Sequence, residues 1–141
     1  MANYELTYSS EISSEEDMLS TIQGILEHHQ VEMSSLRRFM LAVSEAFNNA
    51  LVHGNNCDPS KRINVVLIIN DKDLNADISD QGHGGLEQID RRRPAEPLDE
   101  GGRGVDLIRH CASEAIFTQA DGGGVKVSIK VEREQDSEMS K

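Results

Sequence analysis

A carboxylate and an amide lie one helical turn apart in the segment from Leu36 to Gly54. Apolar side chains recur in this segment every three or four residues, as on one buried face of a helix; they are Leu36, Phe39, Met40, Val43, Phe47, Ala50 and Leu51. At about 100° per residue, Glu45 and Asn49 fall together on the roughly opposite face. Both supply oxygen atoms, which a hard cation such as Mg²⁺ prefers, and the carboxylate can also accept a proton. Taken alone, such a pair is more typical of an ordinary solvated helix face.

A turn containing glycine follows later in the chain and changes this interpretation. Asp80 ends a predicted strand and is followed by Gly82 and Gly84. Glycine lets the backbone approach a ligand closely and adopt a positive φ. A carboxylate beside such a turn can accept a hydrogen bond from an exocyclic amine. Turns rich in Asp and Gly are common, so this motif alone is only a weak indication of a binding site.

A second glycine pair precedes a predicted helix. Gly102, Arg103 and Gly104 open this helix, and backbone N–H groups at a helix N-terminus favour phosphate. Leu107 occupies the place of the third glycine in the Gly-x-Gly-x-x-Gly dinucleotide motif, so that motif is not met. A Walker loop is also absent from the sequence. Glycines at this point can equally well end a loop.

The three elements in this order resemble the nucleotide-binding boxes of the gyrase, heat-shock-protein-90, histidine-kinase and MutL ATPase superfamily. The resemblance rests on residues 45–54, 80–84 and 102–104, and it extends over nearly the whole chain. Within the superfamily, Ser44–Ala46 together with Asn49–Ala50 and His53–Asn55 is most similar to the small bacterial anti-sigma factor serine kinases. Histidine kinases carry an additional phospho-acceptor domain, for which this chain has no room.

The resemblance implies a role for each residue of the three boxes, with ATP and Mg²⁺ as ligands. Glu45 would be the catalytic base that takes a proton from the attacking hydroxyl, and Asn49 would hold Mg²⁺ at the ATP phosphates. Asp80 would bind the adenine amino group. The rest of the nucleotide site would consist of Gly82 and Gly84 near the base, and of Gly102, Arg103 and Gly104 at the phosphates. The segment between the last two boxes would be the ATP lid.

The resemblance also implies the reaction and its protein partners. The chain would be an anti-sigma factor that holds a sigma factor and phosphorylates, on serine or threonine, an antagonist of the STAS (sulfate-transporter/anti-sigma-antagonist) type. Two alternatives stay open: a nucleotide-dependent binding switch without phosphoryl transfer, and a switch kinase acting on a non-sigma signalling complex. Dimerisation through the first strand and first helix is a further expectation.

The periodicity of the chain predicts an α/β two-layer sandwich, with a mixed, mostly antiparallel sheet and helices on one face. Alternation predicts an edge strand around Leu6, a strand at 74–78 and a last strand at 125–131. An almost continuous apolar run predicts a strand at 63–69, which forms a hairpin with 74–78, and a closing hairpin ends at Val131. Ser13 and Glu16 fit a capping box at the start of the first helix. Gly54 fits a left-handed residue that ends the second helix. One ATPase domain over residues 1–133 and a flexible tail over 134–141 are expected.

Composition limits the partners and the compartment. The 25 acidic and 14 basic residues give a formal net charge of −11, which disfavours direct nucleic-acid binding. No apolar run approaches the roughly 18 residues of a membrane span, and the N-terminus lacks a signal region. A cytoplasmic protein without membrane contact is therefore expected. Cys57 and Cys111 lack metal-binding spacing.

Overall fold

The computed structural model describes residues 1–82 and 100–134, with only the backbone given at 100–104. The secondary structure elements, in chain order, are β1 (Ala2–Ser9), α1 (Ile12–His28), α2 (Met33–Asn49), a π-helical turn (Ala50–Gly54), β2 (Arg62–Ile69), β3 (Asp73–Ser79), α3 (Glu100–Cys111), β4 (Glu114–Gln119) and β5 (Val125–Glu132). Residues 83–99 lie outside the described residues; they include Gly84 and most of the predicted lid, with its Arg91–Arg93 run. Most of the predicted tail, 135–141, also lies outside them.

Five strands form one sheet in the order β1-β2-β3-β5-β4. Every described pairing is antiparallel, with Tyr4 opposite Leu67, for example, and Val66 opposite Asp77. The predicted two-layer architecture is confirmed, and β1 lies at the sheet edge as expected. Because β5 is inserted between β3 and β4, strands from the two hairpins share one continuous ladder.

The core lies between the sheet and the helices. Residues of β2, β3 and β5 alternate between buried and more exposed, as expected for a sheet with one covered face. The predicted apolar stripe of α2 is buried except for the partly exposed Met40, and Ala42 and Ala46 widen it. Phe39 and Phe47 are completely buried. A broad apolar face therefore fixes the rotation of α2 and leaves Glu45 and Asn49 on its other side.

The predicted capping box at the start of α1 is wrong. The helix begins at Ile12 with Glu11 as its N-cap residue, which makes no side-chain capping bond, so Ser13 lies inside the helix. Pairing with the β2 side of the sheet continues one residue beyond β1, because the Ser10 N–H donates to Lys61 O at 3.1 Å. This tertiary contact holds the chain up to Ser10 and fixes the start of α1 earlier than the local motif indicates.

The predicted role of Gly54 at the end of the second helix is also wrong. The α-helix ends at Asn49, and the π-helical turn Ala50–Gly54 follows, with the Asn55 N–H donating to Ala50 O at 2.8 Å. Among the described glycines, only Gly122 and Gly123 have a positive φ. The reason for a glycine at position 54 is a close approach of the backbone to another residue.

Candidate active site

The Asp80 side chain is buried at the point where β3 ends. Only 6% of the residue is exposed. Its Oδ1 accepts hydrogen bonds from the backbone N–H groups of Gly82 at 2.9 Å and of Val125 at 3.3 Å. Its own N–H donates to Val125 O at 3.1 Å. Backbone N–H groups after β3 and at the start of β5 therefore hold the carboxylate.

Burial raises the pKa of the Asp80 carboxyl above its ordinary value of 3.8. The backbone donors at Gly82 and Val125, and the charge of Lys61, act in the opposite direction but do not cancel the effect of burial. A carboxylate in such a poorly hydrated place gains more from a new hydrogen-bond donor than an exposed one does. Asp80 is thus suited to binding a polar ligand.

Three glycines from three separate segments surround this carboxylate. A Cβ added at Gly54 or at Gly124 would overlap the carboxylate oxygens of Asp80. A Cβ added at Gly82 would overlap the carbonyl oxygen of Gly54. Any side chain at these places would displace Asp80, so the local conformation of the site depends on all three glycines. The sequence analysis did not identify Gly124, although it lies in the glycine run before β5.

Glu45 and Asn49 lie one turn apart on the outer side of α2, and both are partly buried. Leu41 and Val52, one turn beyond on either side, are 44% and 38% exposed. The predicted juxtaposition on one helix face is confirmed. The π-helical turn that continues α2 also carries Gly54 to the Asp80 carboxylate, so one continuous helical segment supplies both parts of the candidate site.

The last turn of α3 packs against the same side of α2. Arg38 Nε donates to Cys111 O at 3.2 Å, and Nη2 donates to Ser113 Oγ at 3.4 Å. Burial raises the pKa of the Cys111 thiol, the Arg38 charge lowers it and the Glu45 carboxylate raises it. The Glu45 carboxylate therefore lies near enough to Cys111 for its charge to act on the thiol.

The third sequence motif lies at the beginning of α3. The helix begins at Glu100, so Gly102, Arg103 and Gly104 lie in its first turns. The first four N–H groups of an α-helix have no partner within the helix, and Gly102 falls among these positions. Gly84 lies outside the described residues. The roles of these glycines and of Arg103 stay predictions.

Within residues 1–82 and 100–134, no cluster of three or more His, Cys, Asp or Glu side chains could hold a metal ion by itself. No helix in the same ranges has the length and apolar character needed to cross a bilayer.

Comparison with known proteins places this fold and site in a family. The histidine kinase-like ATPase domain matches residues 8–131, and the chain belongs to that family. Membership in an ATPase family implies that the chain binds ATP.

Three curated relatives are similar over most of their length. The anti-sigma F factor of Geobacillus kaustophilus is 26% identical over 129 residues, which cover 89% of this chain and 88% of the relative. The anti-sigma F factor of Shouchella clausii is 27% identical over 135 residues, 92% of each chain. The serine-protein kinase RsbW of Oceanobacillus iheyensis is 28% identical over 123 residues, 82% of this chain and 78% of the relative.

A solved structure shares the fold. The crystal structure of the RsbU and RsbW domains of a Mycobacterium tuberculosis protein aligns with a TM-score of 0.72 and 18% identity over 96% of this chain. The present chain spans 33% of the length of that chain. At this identity the similarity shows the fold alone.

Proposed function

We propose that this protein is an ATP-binding anti-sigma factor with serine/threonine kinase activity, and that it phosphorylates an antagonist of the STAS type. The observation that carries the proposal is the buried Asp80 carboxylate enclosed by three glycines, in a chain of the histidine kinase-like ATPase family. The names of the relatives, anti-sigma F factor and serine-protein kinase, support the choice of partner and reaction.

The adenine base binds at Asp80. Its exocyclic amine donates to the carboxylate, which burial has left poorly hydrated. Gly82 lies beside this contact and keeps the backbone close. Gly84, outside the described residues, stays a predicted member of the nucleotide site. The N–H groups in the first turn of α3, that of Gly102 among them, bind the phosphates. Arg103 and Gly104 follow in the same helix and complete this end of the proposed site.

The Asn49 side chain fits a magnesium site that is shared with the nucleotide. Its amide oxygen is a hard donor, and Mg²⁺ in phosphoryl-transfer sites is bound through one or two protein groups plus substrate phosphates. When bound, Mg²⁺ would neutralise charge on the phosphates.

Glu45 acts as the general base one turn before Asn49. Its carboxylate takes the proton from a serine or threonine hydroxyl of the antagonist, and the hydroxyl oxygen attacks the γ-phosphorus. The bond from that phosphorus to the oxygen bridging to the β-phosphate breaks, and ADP leaves. The products are a phosphorylated antagonist, ADP and one proton on Glu45.

Charge explains how the reaction can decide the choice of partner. A net charge of −11 favours a basic partner, and the core- and DNA-facing surfaces of a sigma factor are expected to be basic. A phosphate on the antagonist adds negative charge at its contact with an acidic protein, which releases it. The chain is then free to hold the sigma factor. Dimerisation and a cytoplasmic location stay predictions.

The test is phosphoryl transfer by Glu45→Ala. The variant should bind ADP with nearly wild-type affinity, while transfer to the antagonist should fall by about 10²–10⁴ because the base is lost. The mass of the antagonist recovered from the native lysate, before and after Mg·ATP is added, measures transfer, and calorimetry measures binding. The exposed Glu27→Ala on α1 is the matched control.

Three outcomes are informative. Parallel losses of binding and transfer in Glu45→Ala would give this residue a structural role. A wild-type protein that binds ATP but never changes the mass of any bound partner would instead be a nucleotide-dependent binding switch. If only non-sigma signalling proteins are recovered, the kinase activity would stand, but the assignment of a sigma factor as partner would be contradicted.

A further inference from the structure

Asn55 is a buried amide that joins the segments around the candidate site. We infer that it is a positioning residue that holds Asp80 in the orientation needed to select adenine; this inference rests on the proposed function. Asn55 is completely buried, with 0% of the residue exposed. It follows Gly54 directly; its backbone bonds to Ala50 and Asp58 are local, whereas its side chain bonds to other segments of the chain.

Both ends of the Asn55 amide bind chain segments that are remote in sequence. Its Oδ1 accepts the Gln81 N–H at 2.8 Å. Its Nδ2 donates to Ser10 Oγ at 2.7 Å and to Arg62 O at 3.0 Å. The side chain therefore ties the end of β3 to the start of β2 and to the chain after β1.

These bonds replace a sheet ladder at the place where two strands separate. The last paired residues of β2 and β3 are Asn64 and Ser79. Beyond them, Asp80 keeps its bond to β5, through Val125 O, but the ladder between β2 and β3 ends. The Asn55 amide bonds the next two backbone groups, Gln81 N–H and Arg62 C=O. The Asn55 amide thus supplies hydrogen-bond partners for two backbone groups at the point where the strands separate beside the Asp80 site.

Gln81 strengthens the same junction from the other side. Its Oε1 accepts the backbone N–H of Arg62. The two backbone groups of Arg62 are thus bonded by two amide side chains, one from Asn55 and one from Gln81. The junction is polar throughout, and Asn55 is its buried member.

The peptide group between Asp80 and Gln81 is consequently fixed on both sides. Asn55 holds its N–H, and the backbone at Gly124 approaches its carbonyl oxygen so closely that a Cβ there would overlap it. Fixing this peptide plane fixes the direction in which the Asp80 Cα–Cβ bond points. Without the Asn55 bond, the peptide group between Asp80 and Gln81 can rotate. The Asp80 carboxylate then no longer keeps the orientation needed to bind the adenine amino group.

Ser10 makes the position of Asn55 itself well defined. Ser10 is completely buried, and its Oγ donates to Lys61 O at 2.9 Å while accepting from Asn55. Removing the Ser10 hydroxyl leaves the Asn55 amide with one anchor fewer but keeps its bond to Gln81. Ser10 variants should therefore show a weaker form of any Asn55 effect.

The test compares ADP with inosine 5′-diphosphate, which carries an oxygen in place of the adenine amino group. Since the two differ at the atom that contacts Asp80, their affinity ratio reports the orientation of that carboxylate. The wild-type protein should prefer ADP by about 10- to 100-fold, the contribution of one charge-assisted hydrogen bond. In Asn55→Ala the ratio should fall below about threefold, mainly through weaker ADP binding. Ser10→Ala should reduce the ratio by about twofold to fivefold.

Two controls separate positioning from general stability. Ser35→Ala removes another completely buried polar side chain, which accepts the Glu134 N–H at 3.0 Å, at the opposite end of α2. Asn64→Ala removes an exposed amide on β2. Both should keep the wild-type ratio, even if Ser35→Ala lowers the melting temperature.

A wild-type ratio in Asn55→Ala, or equal losses for both nucleotides, would overturn the inference and leave Asn55 as a purely structural residue. If Asn55→Ala does not fold, an unchanged ratio in Ser10→Ala overturns it. A wild-type protein without any preference for ADP would instead contradict the adenine contact of the proposed function, which Asp80→Asn tests separately.

Discussion

The Asp80 carboxyl is buried, and burial disfavours its charged form relative to its protonated form. The folded state raises the pKa of this carboxyl above 3.8, so it binds the proton more readily than the unfolded chain does. At neutral pH the buried charge therefore costs stability, and the cost disappears as the pH falls below the unfolded value, where both states hold the proton. A residue that destabilises the free protein and supplies a ligand contact is typical of a functional site.

Asp80→Asn should consequently separate binding from stability. The amide keeps an oxygen for the Gly82 and Val125 N–H groups but carries no charge. We expect a melting temperature at about pH 7 equal to or above that of the wild type, with ADP affinity reduced by about 10- to 100-fold. Scanning calorimetry and isothermal titration measure the two quantities, and Asp77→Asn on β3 is the control. Unchanged affinity would remove Asp80 from the site.

Single residues also show where sequence reasoning ends. The closeness of Asp80 and Gly82 was predictable because the two residues are only two positions apart. The placement of Glu45 and Asn49 on one face was predictable from helical periodicity. The role of Asn55 was not predictable, since its partners Ser10 and Gln81 lie 45 and 26 residues away. Nothing in a single sequence indicates which remote segments a buried amide will join.

At the scale of elements, two glycines in helical segments should respond oppositely to alanine. Gly24 in α1 is exposed, and an added Cβ there meets nothing within 4 Å. Gly24→Ala should therefore stabilise the fold by about 0.5–1 kcal/mol, through helix propensity and reduced freedom of the unfolded chain. Gly54→Ala should cost about 1–3 kcal/mol because the new methyl group overlaps Asp80.

Urea denaturation of both glycine variants measures these changes, and ADP titration adds a second readout. Gly54→Ala should weaken ADP binding because the Asp80 carboxylate is displaced, whereas Gly24→Ala should leave it unchanged. Stabilisation by Gly54→Ala would contradict the close approach described here.

An ion pair connects the α1–α2 link to the end of β5. Arg133 Nη2 lies 2.7 Å from Glu32 Oε1, with 11% and 31% of the two side chains exposed. Arg133 Nη1 also donates to Asn70 O at 2.9 Å, in the turn between β2 and β3. Burial acts to raise the pKa of Glu32, but hydrogen bonds from Arg133 and Ser35 outweigh it, and the pKa is lowered. This arrangement fixes the last strand against the helical layer.

Arg133→Ala should therefore destabilise the protein in a pH-dependent way. Because the folded pKa of Glu32 is depressed, its contribution is present above the ordinary value of 4.5 and is lost as the pH falls through the folded value. We expect a loss of about 1–2 kcal/mol at about pH 7, after allowance for partial exposure, and a smaller loss at about pH 3. Urea denaturation at both pH values measures it, with the exposed Lys72→Ala as control. A loss that does not shrink at low pH would assign the effect to the Asn70 contact.

Element boundaries were predictable only where the local pattern decides them. Strands β1, β3 and β5 follow from alternation, since one covered sheet face imposes a period of two, and β2 follows from an almost continuous apolar run. The start of α1 does not follow from the local pattern, because the hydrogen bond from Ser10 to Lys61 outweighs the local Ser13–Glu16 motif. The end of the helical segment was predicted at the correct residue, Gly54, but for the wrong reason.

The whole molecule has an uneven distribution of charge. All 14 Lys and Arg residues follow Leu36, whereas Glu5, Glu11, Glu15, Glu16, Asp17, Glu27 and Glu32 precede Met33. The acidic excess is therefore greatest on β1, α1 and the link to α2. An asymmetric field of this kind guides a basic partner during approach and is screened by salt.

Association with a basic sigma factor should accordingly depend on ionic strength. The association rate should fall at least about tenfold between about 50 mM and about 500 mM salt, with a smaller change in the dissociation rate. Glu16→Gln combined with Asp17→Asn on α1 should lower the rate at low salt, while nucleotide affinity stays unchanged. Stopped-flow mixing with the recovered sigma factor measures the rates. A rate independent of salt would mean that the charge serves solubility only.

Since β5 lies between β3 and β4, the candidate site is completed late in the synthesis of the chain. Gly54 and Asp80 leave the ribosome long before Gly124 and Val125, whose backbone closes around the carboxylate. A nascent chain that lacks β5 has no donor at Val125 and an unpaired edge on β3, a state prone to aggregation. Nucleotide stabilises only the state that binds it, so cellular ATP would protect finished molecules and leave incomplete ones to chaperones and proteases.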